Sequence, residues 1–419
     1  MIDGLVTVAR WDLKQRLRSK RLLVGWLIWA AVLTAVAGFV VWVWRSNSSS
    51  QDWTREVAPT VFGFIVLLML SFALVVVPVF SGAAIVTERE SATLATLQAT
   101  TLRPGQIVGG KLASACVVAA GFMAGGIPAL GIAIAAGNMS VGRAASCLLV
   151  MYAEMVFLSA IALGWSAIAS RAMVSTVMTY LTVFTLTIVT LLMFGCFTAT
   201  TKTFVGIRTW QLPEQPKLAY AAELKQFFND HPTDDGALAP APPVTACEWG
   251  PERVRIHDRS QWFWWMLLVN PFVIVSDAAP LPKWAEGDIQ KYTRRTDFDP
   301  LAMITYGVRT ARLAEPTEFD ECFTTDTIIY DGTNLFEVIL NSDGTFTVEF
   351  WFSDPYVPRS TEPVTQPPSP VPPRPVTVDT PLWPIGLTAN LILAAFFFAL
   401  AVRRVSVPYG PLPKGQRVA

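Results

Sequence analysis

Six apolar runs, each long enough to cross the hydrocarbon core of a bilayer, decide what this chain can become. They cover residues 22–44, 58–86, 112–136, 144–169, 172–197 and 382–402; a helix needs about 20 residues for such a crossing. Inside hydrocarbon the backbone amides have no water to bond, so runs of this kind become helices. Of the 419 residues 52% are hydrophobic and 15% charged, and the mean hydropathy of +0.43 is too high for an ordinary soluble protein. The expected fold class is therefore an α-helical polytopic membrane protein with six transmembrane helices.

The formal net charge is zero, but residues 198–381 hold 15 Lys+Arg against 25 Asp+Glu, and the rest of the chain holds 17 against 7. Basic residues gather before the first run, at Arg10, Lys14, Arg16, Arg18, Lys20 and Arg21, and after the last, at Arg403 and Arg404. The excess of positive charge in cytoplasmic segments predicts both termini in the cytoplasm, as an even number of spans allows. Residues 87–111 and the 403–419 tail then also lie inside, and 198–381 lie outside. A cleaved signal peptide is the competing reading of the N-terminus, but a 22–44 run exceeds the ~7–15 residues of a signal core. The expected location is the cell membrane, cytoplasmic or inner.

Two polar stretches on the inner side have helical patterns. In residues 1–21, Leu5, Val8, Trp11, Leu13 and Leu17 are set among the basic residues, which suits a helix lying on the membrane surface with its cations at anionic lipid headgroups. Residues 87–111 read TERESATLATLQATTLRPGQIVGGK. Thr87 stands three residues before Glu90, the spacing of a capping box. Leu94 and Leu97, with Ala92 and Ala95, give a short amphipathic helix that Thr100, Thr101, Pro104 and Gly105 end.

The E-R-E, the Thr-Leu pairs, the Thr-Thr-x-x-Pro turn and the Gly-Lys that leads into a span resemble the segment between the second and third spans of ATP-binding cassette type 2 permeases. The 1–21 stretch, with Arg18-Ser19-Lys20 before the first span, is similar to the elbow helix of that family. The resemblance implies that this chain is the permease subunit of an exporter and pairs with itself or a related permease. A separate cytoplasmic ATPase subunit, holding the ATP and Mg, would touch Glu88, Arg89, Glu90, Leu94 and Leu97. The other reading of 87–111 is a loop helix that binds nothing. Gly105 to Leu112, GQIVGGKL, comes within one residue of a phosphate-binding loop, but Leu112 replaces the Ser/Thr and no strand precedes it. No cofactor is expected in this chain.

Within the runs, Glu154 stands ~15 Å along its helix from residue 144, near mid-bilayer. A charge facing lipid there costs at least ~2.5 kcal/mol. Glu154 is then either a pathway or proton-linked carboxylate, or a neutral carboxyl bonded to a neighbouring helix. Thr176, Thr179, Thr182 and Thr185 recur every three residues, marking a helix contact or a polar pathway. The third run carries Gly121, Gly125, Gly126, Pro128 and Gly131, a pattern for close packing and a kink. Cys116, Cys147 and Cys196 fall in the runs and read as packing residues. Cys247 and Cys322 fall outside and are expected to form a disulfide.

The outer stretch 198–381 promises a small α+β extracytoplasmic domain. A helix is expected near residues 220–228, and QWFWWMLLVNPFVIV at 261–275 suits an interfacial or re-entrant helix broken at Asn270 and Pro271. Residues 334–352 alternate with period two around a turn and read as a β-hairpin. Residues 355–381, rich in Pro, read as an extended spacer. So large an outer domain departs from the resembled family. It opens an alternative, a membrane-anchored sensor or assembly factor with an extracytoplasmic protein partner. His231 and His257 have no metal-ligand spacing, and no nucleophile motif or basic aromatic surface for nucleic acid is present. The chain is not expected to be an enzyme.

Overall fold

The computed structural model describes residues 2–18, 20–47, 53–91, 93–94, 102–136, 141–232, 236–279, 299–314, 317–323, 327–330, 335–341, 344–350, 359–365, 369–371 and 380–406. The chain divides into two compact units. The first holds residues 1–198, 260–313 and 376–419, and the second holds 199–259 and 314–375. The division falls inside the stretch read from sequence as one outer domain, because the Trp-rich segment and the helix after it cluster with the long helices.

The first unit contains α1 (Ile2–Leu17), α2 (Lys20–Asn47), α3 (Trp53–Ser81), α4 (Val86–Glu90), α5 (Pro104–Ala124), α6 (Ile127–Ala136), α7 (Val141–Ile168) and α8 (Ala172–Thr200). Among the described residues, six helices are long and apolar enough to cross a membrane: Leu23–Ser46, Val57–Glu90, Pro104–Ala124, Val141–Ile168, Ala172–Thr200 and Trp383–Ser406. Large apolar side chains such as Trp42, Leu149, Met173, Leu192 and Ile392 are exposed on their outer faces. The buried core runs along α3 and α7, where Phe62, Ile65, Met69, Met151 and Ile161 pack.

The third apolar run departs from its expected form. Its helix starts at Pro104, eight residues early, because Pro at the first turn loses no helical hydrogen bond and Gln106 Oε1 accepts from the Arg103 amide at 2.8 Å. It ends at Gly125–Gly126, each worth about 1 kcal/mol less than Ala in a helix, and Pro128 opens α6 as a separate helix.

The 261–275 stretch also departs in part. Before the expected break at Asn270 the backbone makes two single 3-10 turns, Ser260–Trp262 and Trp264–Leu267, and only then α9 (Pro271–Asp277). Buried Asn270 caps α9 by accepting from the Phe272 amide at 3.0 Å. Its Nδ2 donates to Thr187 O at 2.9 Å and to Thr190 Oγ1 at 3.0 Å, where α8 widens into a π-turn over Thr185–Val189. Next come α10 (Pro300–Thr310) and α11 (Trp383–Ser406). Asp277 accepts from the Leu382 and Trp383 amides at 2.5 and 3.0 Å and pairs with Arg309 at 2.8 Å, so one carboxylate caps the start of α11 and holds α10. Asp299 caps α10 and pairs with Arg143 of α7 at 2.5 Å.

The second unit has two sheets. In one, β1 (Lys202–Gln211) pairs antiparallel with β2 (Glu248–Trp249) and β3 (Arg253–Asp258) and parallel with β4 (Glu318–Asp320). The other runs β5 (Thr327–Tyr330), β6 (Leu335–Leu340), β7 (Phe346–Phe350), β8 (Arg359–Ser360) in spatial order, all antiparallel. Phe336 faces Phe350, Val338 faces Val348 and Leu340 faces Phe346, so the alternating apolar residues share one face. That face meets Tyr220, Leu224 and Phe228 from a helix at Glu214–Asp230, longer than the expected 220–228. Cys247 and Cys322 are joined in a disulfide beside this core, with Cα atoms 6.1 Å apart. The spacer reading of 355–381 is corrected at its start. Arg359–Ser360 pairs with β7, because a strand with an open edge gains by pairing there. Residues 355–358, 366–368 and 372–379 lie outside the described residues.

Candidate functional site

The site is built where α1 crosses α5. Gly110 makes the crossing close, since a Cβ there would stand 2.6 Å from the Cβ of Val8. Asp12 of α1 and Lys111 and Ser114 of α5 are thereby buried together. Lys111 Nζ lies 2.6 Å from Glu88 Oε1 and 3.7 Å from Asp12 Oδ1. Ser114 Oγ donates to Asp12 Oδ2, and Arg16, one turn along α1, donates to the same oxygen at 2.8 Å. Arg16 also donates to Phe80 O at 3.0 Å and stands over the Phe80 ring. One cation inside the protein is therefore held by two carboxylates from different segments, which offsets the burial of all three charges.

Residues 82–91, which bring Glu88 to this cluster, also bind the facing ends of α7 and α8. The amides of Ile85 and Val86 both donate to Ser166 Oγ, at 2.9 and 3.1 Å. Arg89 donates to Ala167 O at 2.9 Å and Ala169 O at 3.2 Å, two carbonyls that the end of α7 leaves without helical partners. Glu90 Oε1 accepts from the Ala172 amide at 3.0 Å, the first residue of α8. The cation sits at a helix C-terminus and the anion at a helix N-terminus, each matching the helix dipole. Ser175 donates to Gly82 O from the next turn.

The expected capping box between Thr87 and Glu90 is not formed. The helix has already begun at Val86, the Thr87 amide is bonded to Ala83 O at 3.0 Å, and the Thr87 hydroxyl follows it to the same oxygen at 2.8 Å. Glu90 is thus free to reach α8. Leu94 is buried with Ile85, Ile107, Leu163, Ala401 and Val405. Leu97 lies outside the described residues. The exposed side of the segment is Thr87, Glu90, Ser91 and Thr93, whereas Glu88 and Arg89 are turned inward.

The other residues singled out by sequence sit apart from this cluster. Thr179 is buried and donates to Ser175 O one turn back in its own helix, and Thr182 accepts from Trp165 Nε1 of α7 at 2.9 Å. Glu154 is buried between α7 and α11 against Asn390. Sequence reasoning passes over Asp12, Ser114 and Asn390, and Lys111 enters it only as part of the Gly-Lys that leads into a span. The one signal for Asp12 is an acid set in the middle of a helix whose other charges near it, Arg10, Lys14 and Arg16, are basic. Among the described residues no group of three His, Cys, Asp or Glu side chains could hold a metal. Compared with known proteins, the chain matches no family model and no curated protein.

Proposed function

We propose that this chain is the membrane-spanning permease subunit of an ATP-driven exporter, acting with a separate cytoplasmic ATPase subunit and pairing with a second permease copy or relative. One observation carries the reading. Three consecutive residues, Glu88, Arg89 and Glu90, are each committed to a different helix: Lys111 of α5, the C-terminal carbonyls of α7 and the N-terminal amide of α8. A displacement of this segment is delivered to all three helices at once, as a coupling element requires. Its exposed strip of Thr87, Glu90, Ser91 and Thr93 is the surface left for the ATPase. In this reading the excess of basic residues on α1 and at the end of α11 favours the cytoplasm for both termini, and the acidic balance of residues 198–381 favours the outside for that stretch.

The test is purification of the tagged chain with mass spectrometry of what accompanies it, beside a variant with Ser91→Arg and Thr93→Arg. These positions are exposed and lie outside the ion pairs. An ATPase that accompanies the parent and is lost from the variant supports the reading. A parent that brings no ATPase overturns it, and then the sensor reading is favoured by the separate disulfide-closed core of the second unit.

A further inference from the structure

Helices α7 and α11 pack closely. Gly164 admits Phe397 at a distance no Cβ would allow, and Trp165 lies tilted by 47° against the same ring with centroids 5.2 Å apart. Inside this contact Glu154 is 1% exposed and Asn390 2%. Asn390 Nδ2 lies 3.2 Å from Glu154 Oε1, 3.0 Å from Oε2 and 3.3 Å from Val269 O. Asn390 Oδ1 is buried and has no partner.

The charged groups of the surrounding helices are engaged elsewhere. On α7 Arg143 pairs with Asp299, on α9 Asp277 pairs with Arg309, and on α5 Lys111 pairs with Glu88 and Asp12. Arg403 and Arg404 stand at the far end of α11. Residues 57–81 of α3 and 172–200 of α8 contain no Asp, Glu, Lys or Arg. The other titratable side chains of α7 are Tyr152, bonded to Cys116 O, and Cys147, directed at Val275 O, and Tyr180 of α8 donates to Val75 O. Among the described residues no cation pairs with Glu154.

Donors and acceptors therefore fail to balance if Glu154 is ionised. Two amide N–H groups face three oxygens, a full charge is buried without a counter-charge, and Asn390 Oδ1 stays unfilled, a costly state in a protein interior. One added proton repairs all of this. The Glu154 O–H donates to Asn390 Oδ1 after a small turn of the amide, one N–H returns to the other carboxyl oxygen, and the second N–H keeps Val269 O.

We propose that Glu154 is a proton-binding site, its carboxyl protonated and closed into a neutral pair with Asn390 that latches α7 to α11. The site releases its proton only when the two helices part and water reaches the carboxyl. This holds whether or not the chain is a permease.

The experiment is infrared spectroscopy of the full chain in lipid nanodiscs at neutral pH, unlabelled and with 13C-carboxyl Glu, beside Glu154→Gln and Asn390→Leu. The parent is expected to show a protonated-carboxyl C=O band that shifts with the label and in D2O. Glu154→Gln loses the band, and Asn390→Leu moves it to higher frequency. A folded parent without a label-sensitive protonated band overturns the proposal, even if neither variant folds. So does a band that survives Glu154→Gln. A carboxylate that is ionised and stabilised by added sodium over potassium would mean a metal cation in place of the proton, and overturns it as well.

Discussion

Lys111 Nζ sits 2.6 Å from Glu88 Oε1 while Asp12 Oδ1 stands 3.7 Å from the same nitrogen. The Lys111 side chain is 3% exposed. Losing one partner of such a pair strands the other without a counter-charge.

Lys111→Met should therefore destabilise the protein by about 3–5 kcal/mol, whereas Lys111→Met with Glu88→Gln should recover part of the loss. Thermal unfolding in one detergent, across the four proteins of a double-mutant cycle, measures this. Additive losses would mean that the contact carries no coupling.

Arg89 and Glu90 cap two helix ends that meet at residues 168–172. Arg89→Ala should cost about 1–3 kcal/mol for carbonyls left unmatched, and Glu90→Ala about 0.5–2 kcal/mol for the lost cap. Amide hydrogen exchange should accelerate locally, in 166–175, with little change along α3. A uniform acceleration would place the effect elsewhere.

Tyr220 lies buried and donates to Pro240 O at 3.0 Å, and burial, with Glu223 adding to it, raises its phenol above the usual range. The folded state then holds the proton more tightly than the unfolded chain. The stabilisation is complete below the unfolded value near 10 and is lost as pH rises through and beyond it. Tyr220→Phe should flatten the alkaline fall in unfolding temperature of the second unit. An unchanged alkaline slope would remove Tyr220 as the cause.

The Cys247–Cys322 bridge closes a separation of 75 residues. By loop entropy, opening it should cost about 4 kcal/mol. A Cys247→Ser, Cys322→Ser variant should unfold its second unit at lower denaturant while the apolar helices keep their far-ultraviolet signal. Reduction without effect on that midpoint would show the link to be energetically idle.

The parts legible in the sequence are those that a local period dictates. The six apolar helices follow from run length, and the 334–352 hairpin follows from alternation that brings Val338 opposite Val348. The 87–111 stretch stands out in the sequence by its polar setting between two apolar runs. What Glu88, Arg89 and Glu90 touch was not legible, since Lys111 lies 23 residues away and Ala167 and Ala172 lie 78 and 82 away. The same holds for Asn390, 236 residues from Glu154. The strand at Arg359–Ser360 was hidden by the prolines around it, because β7 supplies the reason for it.

The π-turn at Thr185–Val189 is equivalent to one residue inserted into an α-helix. Upstream and downstream of it, α8 therefore presents faces out of phase by about 100°, the angle of one helical residue. The period-three threonine row that begins at Thr176 accordingly hands over at Thr187 and Thr190 to a different neighbour, Asn270. A version of this chain shorter by one residue in that turn would keep its hydropathy, yet would rotate the C-terminal half of α8 away from Asn270. Length, here, is a form of specificity that hydropathy cannot read.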